Sequence, residues 1–257
     1  MLSTLNRIAF LTITKREIHR ILRIWTQTLL PPVITQSLYF VIFGTFVGSQ
    51  VSNINGISYM AFIIPGLVMM AVINASFMNV VSSFFGSKFQ RNIEEMLVSP
   101  TPNWVIIAGY MVGGMFRGLL VGSIVYAVSF FFERIRIDNP GIVILFAVLT
   151  SAVFALMGLT VGIFAKKFDH VSIIPTFVLT PLTYLGGVFY AVNRLPETWQ
   201  TVSKFNPILY MVNGFRYGFY SFADVEITTA ASMLTLFFVL IGGLNLHLMN
   251  KGVGLRT

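Results

Sequence analysis

From Ile24 to Ser87 the chain runs through 64 consecutive residues without one Asp, Glu, Lys or Arg. A folded domain in water must present charge to solvent at shorter intervals than that. A run of this length instead accommodates two or three membrane spans of about 20 residues each. The rest of the composition agrees, with 56% hydrophobic and 10% charged residues, against roughly 25% charged in an ordinary soluble domain. The solvent that this sequence anticipates is a lipid bilayer.

Six apolar segments are expected, at about 29–49, 57–85, 103–131, 141–165, 171–191 and 227–249. All should be helical, because a backbone in hydrocarbon must satisfy its own N–H and C=O groups and these segments are too long for barrel strands. The fold class is therefore an all-α membrane protein of six transmembrane helices. The fifth segment is irregular, since Pro175 and Pro181 interrupt its hydrogen-bond ladder and Gly186–Gly187 lie near its end. A cleavable signal peptide is not expected, because Arg7, Lys15, Arg16, Arg20 and Arg23 precede the first long apolar run.

The net charge of +8 does not indicate nucleic acid, since the basic residues lie between apolar segments and not on one solvated domain face. They report topology instead. With the N-terminus inside, the cytoplasmic side collects Arg7, Lys15, Arg16, Arg20, Arg23, Lys88, Arg91, Lys166, Lys167, Lys251 and Arg256. The outer side receives Arg134, Arg136, Arg194, Lys204 and Arg216, and Arg117 falls inside the third span. Both termini are expected in the cytoplasm.

Three segments outside the ordinary spans have character of their own. In the first, residues 1–27, Ile18, Ile21, Leu22 and Trp25 share one helical face while Arg16, Arg20 and Arg23 share another, the pattern of an interfacial helix with its arginines toward lipid phosphates. In the second, residues 88–102, Phe89, Ile93, Met96 and Leu97 align opposite the charged positions until Pro100 and Pro102 stop the helix. That helix could lie on head groups or meet a soluble partner. The third, residues 192–225, is too polar to span yet carries Phe205, Tyr210, Phe215 and Phe219; short outer re-entrant helices account for it, provided protein covers their free backbone ends.

Several chemistries lack their residues. None of the six lysines follows a glycine, so the chain has no Walker lysine for nucleotide phosphates. There is no cysteine, and His19, His170 and His247 are scattered, which leaves no metal-site pattern. The nine acidic residues all fall outside or at the rims of the apolar segments. A proton-coupled carrier would be expected to hold titratable groups at membrane depth. The driving energy is therefore expected to enter from another polypeptide, with an ion-coupled carrier or a membrane scaffold as the alternatives.

Lys15-Arg16-Glu17, the loop with Arg91, Glu94, Glu95 and Pro100, the run Leu185-Gly186-Gly187-Val188-Phe189-Tyr190 followed by Leu195-Pro196, and Asn206-Pro207 with Arg216 together resemble the ABC-2-type permease family. The resemblance runs over essentially the whole chain. It implies one transmembrane domain, 1–257, of the type V or ABCG-like exporter fold, working as a homodimer in the bacterial inner membrane. A separate ABC ATPase, two copies per dimer, would bind ATP and Mg, and this chain would hold no cofactor or metal and catalyse nothing. Residues up to 27 would be the connecting helix, with Arg16, Glu17, Arg20 and Arg23. Residues 88–102 would be the coupling helix, with Phe89, Gln90, Arg91, Ile93, Glu94, Glu95 and Leu97 against the ATPase. Asn206, Pro207 and Arg216 would belong to the outer re-entrant hairpin, and spans two and five would flank the path of an amphiphilic cargo.

Two features have more than one reading. Gly114, Gly118 and Gly122 repeat at every fourth position, with Gly109–Gly113 and Gly158–Gly162 beside them, and could pack helices within a subunit or form a dimer seam. Arg117 near the centre of span three costs at least about 2.5 to 3.5 kcal/mol there. It needs a carbonyl, an Asn or Tyr side chain, water or an anionic lipid as partner.

Overall fold

A computed structural model describes residues 2–254 apart from Ser52 and Asn55. Arg256, one of the expected cytoplasmic cations, lies outside the described residues. The chain is all helical; β-bridging among the described residues is confined to the isolated pair Ile54 and Ile57. Twelve α-helices are described: α1 (Leu2–Arg23), α2 (Trp25–Thr28), α3 (Leu30–Tyr39), α4 (Tyr59–Phe89), α5 (Asn92–Val98), α6 (Asn103–Ser129), α7 (Pro140–Phe164), α8 (Phe168–Ile174), α9 (Thr180–Leu185), α10 (Glu197–Lys204), α11 (Pro207–Tyr220) and α12 (Ile227–Lys251).

Five helical stretches among the described residues are long and apolar enough to cross a membrane: Trp25–Val47, which joins α2, α3 and a π-helical end, and then α4, α6, α7 and α12. The expected fifth segment is a broken helix, with α8 and α9 separated by the π-helical residues Pro175–Leu179. Its cause is local. Pro175 and Pro181 have no amide hydrogen to give the preceding turn, and Thr180 N–H reaches back five residues to the Pro175 carbonyl. The first span ends in the same geometry, Phe40–Val47, where Gly48 N–H bonds to the Phe43 carbonyl at 2.9 Å. Such π-turns are rare and recur at functional sites.

Helix α4 is the axis of the bundle. Its most apolar window is 94% buried, whereas those of Trp25–Val47 and α12 are 11% buried. Around α4 pack α6, α7 and α11. Small residues permit the approach: a Cβ at Gly118 of α6 would overlap the Ser76 Oγ of α4, and one at Gly114 would stand 2.5 Å from Val80 Cγ2. The glycine ladder thus faces α4 and α7 of its own chain.

Proline and long-range side chains act together in two spans. Pro65 inside α4 leaves the Ala61 carbonyl without its helical donor, and the Tyr220 hydroxyl donates to it at 2.7 Å. Pro32 does the same to the Thr28 carbonyl, which receives Arg117 Nη2 at 3.2 Å. Of the partners open to Arg117, the fold thus uses a carbonyl released by a proline.

The bundle has two distinct ends. At one end lie α1, α5 and the end of α12, joined by Arg16 to Met96 and Asn103 to Asn250. At the other lie α10 and α11, with α11 tied in by Tyr220 to the Ala61 carbonyl and, just past its end, by Asn139 to Ser221.

Candidate functional site

The connecting-helix candidates converge on a buried network at the basic end. Glu17 is 1% exposed, the one buried acidic side chain among the described residues. Its carboxylate accepts from Ser83 Oγ at 2.7 Å, from Arg20 Nη2 at 3.0 Å and from Arg16 Nη2 at 3.5 Å. Arg20 also donates to Asn79 Oδ1 at 2.8 Å. Arg16 donates to the Tyr110 hydroxyl at 2.8 Å, which in turn donates to Ser87 Oγ at 3.1 Å. Helix α1 is thereby tied to both α4 and α6. The glycines of α6 make room for it, since a Cβ at Gly113 would lie 2.6 Å from Glu17 Cβ.

This arrangement differs from the expected interfacial helix in the faces that it uses. The buried residues of α1 are Ile13, Thr14, Glu17 and Ile21, while Leu22 and Trp25 are half exposed. Arg16 and Arg20 turn toward a carboxylate within the protein; Arg23 remains exposed. The reason is electrostatic: a buried carboxylate needs cations and donors around it, and the nearest cations lie one and three residues away on its own helix. Glu17 lies outside the apolar segments, as expected of every acid in the chain, and is nonetheless buried. Its oxygens are already engaged by three donors, which is a structural arrangement and not a free proton relay.

The second set, at 88–102, divides between two helices. Helix α4 continues through Phe89, the chain reverses at Arg91 with φ of 62°, and α5 follows. Ile93 is 1% exposed and anchors α5 in the core. Met96 and Leu97 are half buried, and Gln90, Arg91, Glu94 and Glu95 are exposed. Phe89 does not lie beneath α5; it is exposed and makes a tilted contact with Phe85 and an edge contact with Phe168. Val98 is 87% exposed beside the two glutamates, an apolar group that only a further surface would cover. Lys88 is drawn inward, donating to the Ile163 and Ala165 carbonyls at 2.7 and 2.9 Å, where it caps the C-terminus of α7.

The third set builds the opposite end. Asn206 caps α11, accepting from Ile208 N–H at 3.0 Å while its amide donates to the Leu182 carbonyl at 2.6 Å. Pro207 takes the first helical position, where its missing N–H costs nothing. Arg216 is wholly buried, donates to the Gly187 carbonyl at 2.8 Å and lies 3.9 Å from the Phe62 ring centroid. Helix α10 is more exposed, with Trp199 half exposed and Phe205 84% exposed.

Sequence reasoning missed Asn79, Ser83, Ser87 and Tyr110. A signal for three of them existed: Ser76, Asn79, Ser83 and Ser87 recur at helical spacing along an otherwise apolar span. Polar residues on one stripe of such a span call for a polar partner. Beyond this network, α4 leaves a narrow, incompletely buried stripe at Asn74, Met78, Ser82 and Gly86. No group of three or more metal-ligating side chains occurs among the described residues.

Comparison with known proteins gives a consistent set of relatives. The family profile described as ABC-2 type transporter matches residues 8–220. The inner membrane transport permease YadH of Escherichia coli strain K12 is 54% identical over 250 residues, covering 97% of this chain and 98% of that protein. Nodulation protein J of Rhizobium leguminosarum bv. trifolii is 26% identical over 177 residues, 68% of each chain. Nodulation protein J of Neorhizobium galegae is 24% identical over 204 residues, covering 79% and 78%.

Proposed function

The chain belongs to the ABC-2 type transporter family, and from that membership we propose that it is the permease subunit of an ABC exporter in a bacterial inner membrane. Both termini lie in the cytoplasm, which puts α1 and α5 on the side where ATP is present. Two copies form the working unit, each served by one copy of a separate ATPase that binds ATP and Mg. The broken helix at 168–185 completes a sixth span, and α10 with α11 forms the outer re-entrant hairpin. The cargo is an amphiphile of the lipid, glycan or drug-like class, moved outward.

The observation that carries this reading is the outer face of α5. A helix of seven residues is held to the core by Ile93 and presents Glu94, Glu95 and Val98 outward. A short, anchored helix with an acidic and apolar exposed face suits docking into a complementary cleft. On this reading α5 is the coupling helix. Displacement of α5 would reach α4 through the Arg91 reversal and α1 through the Arg16 and Met96 contact. Motion of α4 and of the broken fifth span would then open the stripe at Asn74, Met78, Ser82 and Gly86 toward a second copy.

The test is the purified complex carrying Glu94→Lys together with Glu95→Lys. The permease should remain folded while ATPase binding and transport fall by at least tenfold. Unchanged binding and transport in the double variant would remove the coupling assignment.

A further inference from the structure

We infer that the pocket lined by Lys15, Arg16, His19, Arg20, Arg23 and Ile24 binds the phosphate head group of an anionic glycerolipid. Its volume is about 650 Å³, room for a head group with its water. Four of the lining side chains are lysine or arginine. The carboxylate that α1 brings near them, Glu17, is buried behind and already held by Ser83 and the two arginines. The pocket keeps an excess of three positive charges. Among the described residues Lys15 and Arg23 take part in no ion pair, and Arg20 Nε is buried without a hydrogen-bond partner.

The neighbours of the pocket place it at the edge of the lipid. Ile24, on the pocket wall, is the first residue of the 64-residue uncharged run. Trp25 and Leu22 next to it are 52% and 49% exposed, and Ile34 and Leu38 further along are 56% and 55% exposed. Trp25, Ile34 and Leu38 belong to the first span, which sets acyl chains against that surface and the cations of the pocket at head-group depth. A glycerolipid covers both parts, with its phosphate among the cations and its acyl chains along the first span. Clustered Lys and Arg on a helix directly cytoplasmic of a span form the usual basis for recognition of acidic lipids. The inference rests on the membrane placement of the chain and is independent of cargo and direction.

The experiment uses the complete permease–ATPase complex, equilibrated with phosphatidylcholine alone or with phosphatidylcholine and phosphatidylglycerol, and read by native mass spectrometry for retained lipid. Wild type should retain phosphatidylglycerol selectively, and inorganic phosphate should not displace it. Lys15→Gln with Arg23→Gln should weaken retention roughly 30-fold, the weight of two basic side chains at a charged surface. The outer pair Arg194→Gln with Lys204→Gln should leave retention unchanged. Equal retention of both lipids by wild type would overturn the proposal without need of any variant. Equal loss in both variant pairs would do so as well, as would displacement by phosphate alone, which indicates a free-anion site. If the inner pair kept the lipid and shed the ATPase, the face would be a protein interface and the proposal wrong.

Discussion

Glu17 and Arg216 are both buried charges, one at each end of the bundle, and the fold compensates them by different means. Around Glu17 stand two guanidinium groups and a hydroxyl. Around Arg216 stand one carbonyl and one aromatic face, and its Nε and Nη1 have no partner. No carboxylate lies within ion-pair distance of Arg216 among the described residues. The Glu17 site is a network with several members on three helices, so losing its centre strands the others. The Arg216 site is a single side chain that fastens α11 to the Gly187 turn and to Phe62 of α4, so losing it strands no other charge. A buried charge that organises other charges and one that only braces a hairpin should respond differently to replacement.

The largest effect is expected at the centre of the network. Glu17→Leu removes the charge-assisted bonds from Ser83 and Arg20 and leaves the buried Ser83 hydroxyl without its acceptor, which should cost about 3–5 kcal/mol, read as a drop in thermal unfolding temperature of the purified protein in detergent. A loss no larger than that of Arg216→Met would break the contrast. Arg216→Met keeps most of the volume and removes two unpartnered donors, but loses the bond to the Gly187 carbonyl and a desolvated cation–π contact, for a net cost of about 2 kcal/mol by the same measurement. Gly113→Val tests the groove that admits α1. Its Cβ would fall 2.6 Å from that of Glu17, and such overpacking costs about 1–3 kcal/mol, visible as faster proteolysis within α1. The smallest effect on stability, within about 0.5 kcal/mol, is expected for Glu94→Lys with Glu95→Lys, because both side chains are exposed. There the loss should appear in ATPase binding and transport, not in folding.

Much of the helical layout was legible because bilayer partition acts on every residue of a span in the same way. The expected segment 57–85 became Tyr59–Phe89, 141–165 became Pro140–Phe164 and 227–249 became Ile227–Lys251. Pro175 and Pro181 announced the break in the fifth segment, though not its π-geometry. The face of α1 was not legible. Its apolar stripe and its cationic stripe were both visible, and yet the buried face runs through Ile13, Glu17 and Ile21. Burying a glutamate is favourable only where Ser83 and Gly113, far off in the chain, supply a donor and an opening. Likewise the partner of Arg117 follows from Pro32 in another span, and a local pattern cannot show which carbonyl a proline has left free.

The sequence by itself determined the solvent, the helical class and the family, because these follow from composition, run length and residue order. The tertiary structure alone decided which way each helix is rotated and which charges are paired. The physical reason is that rotation about a helix axis hardly changes hydrophobic burial in a membrane, where lipid and protein are similarly apolar. Glycine contacts and scarce hydrogen bonds therefore select the rotation. The 64-residue uncharged run says that α4 enters the bilayer; Gly118 and Glu17 say which face of it meets α6 and α1.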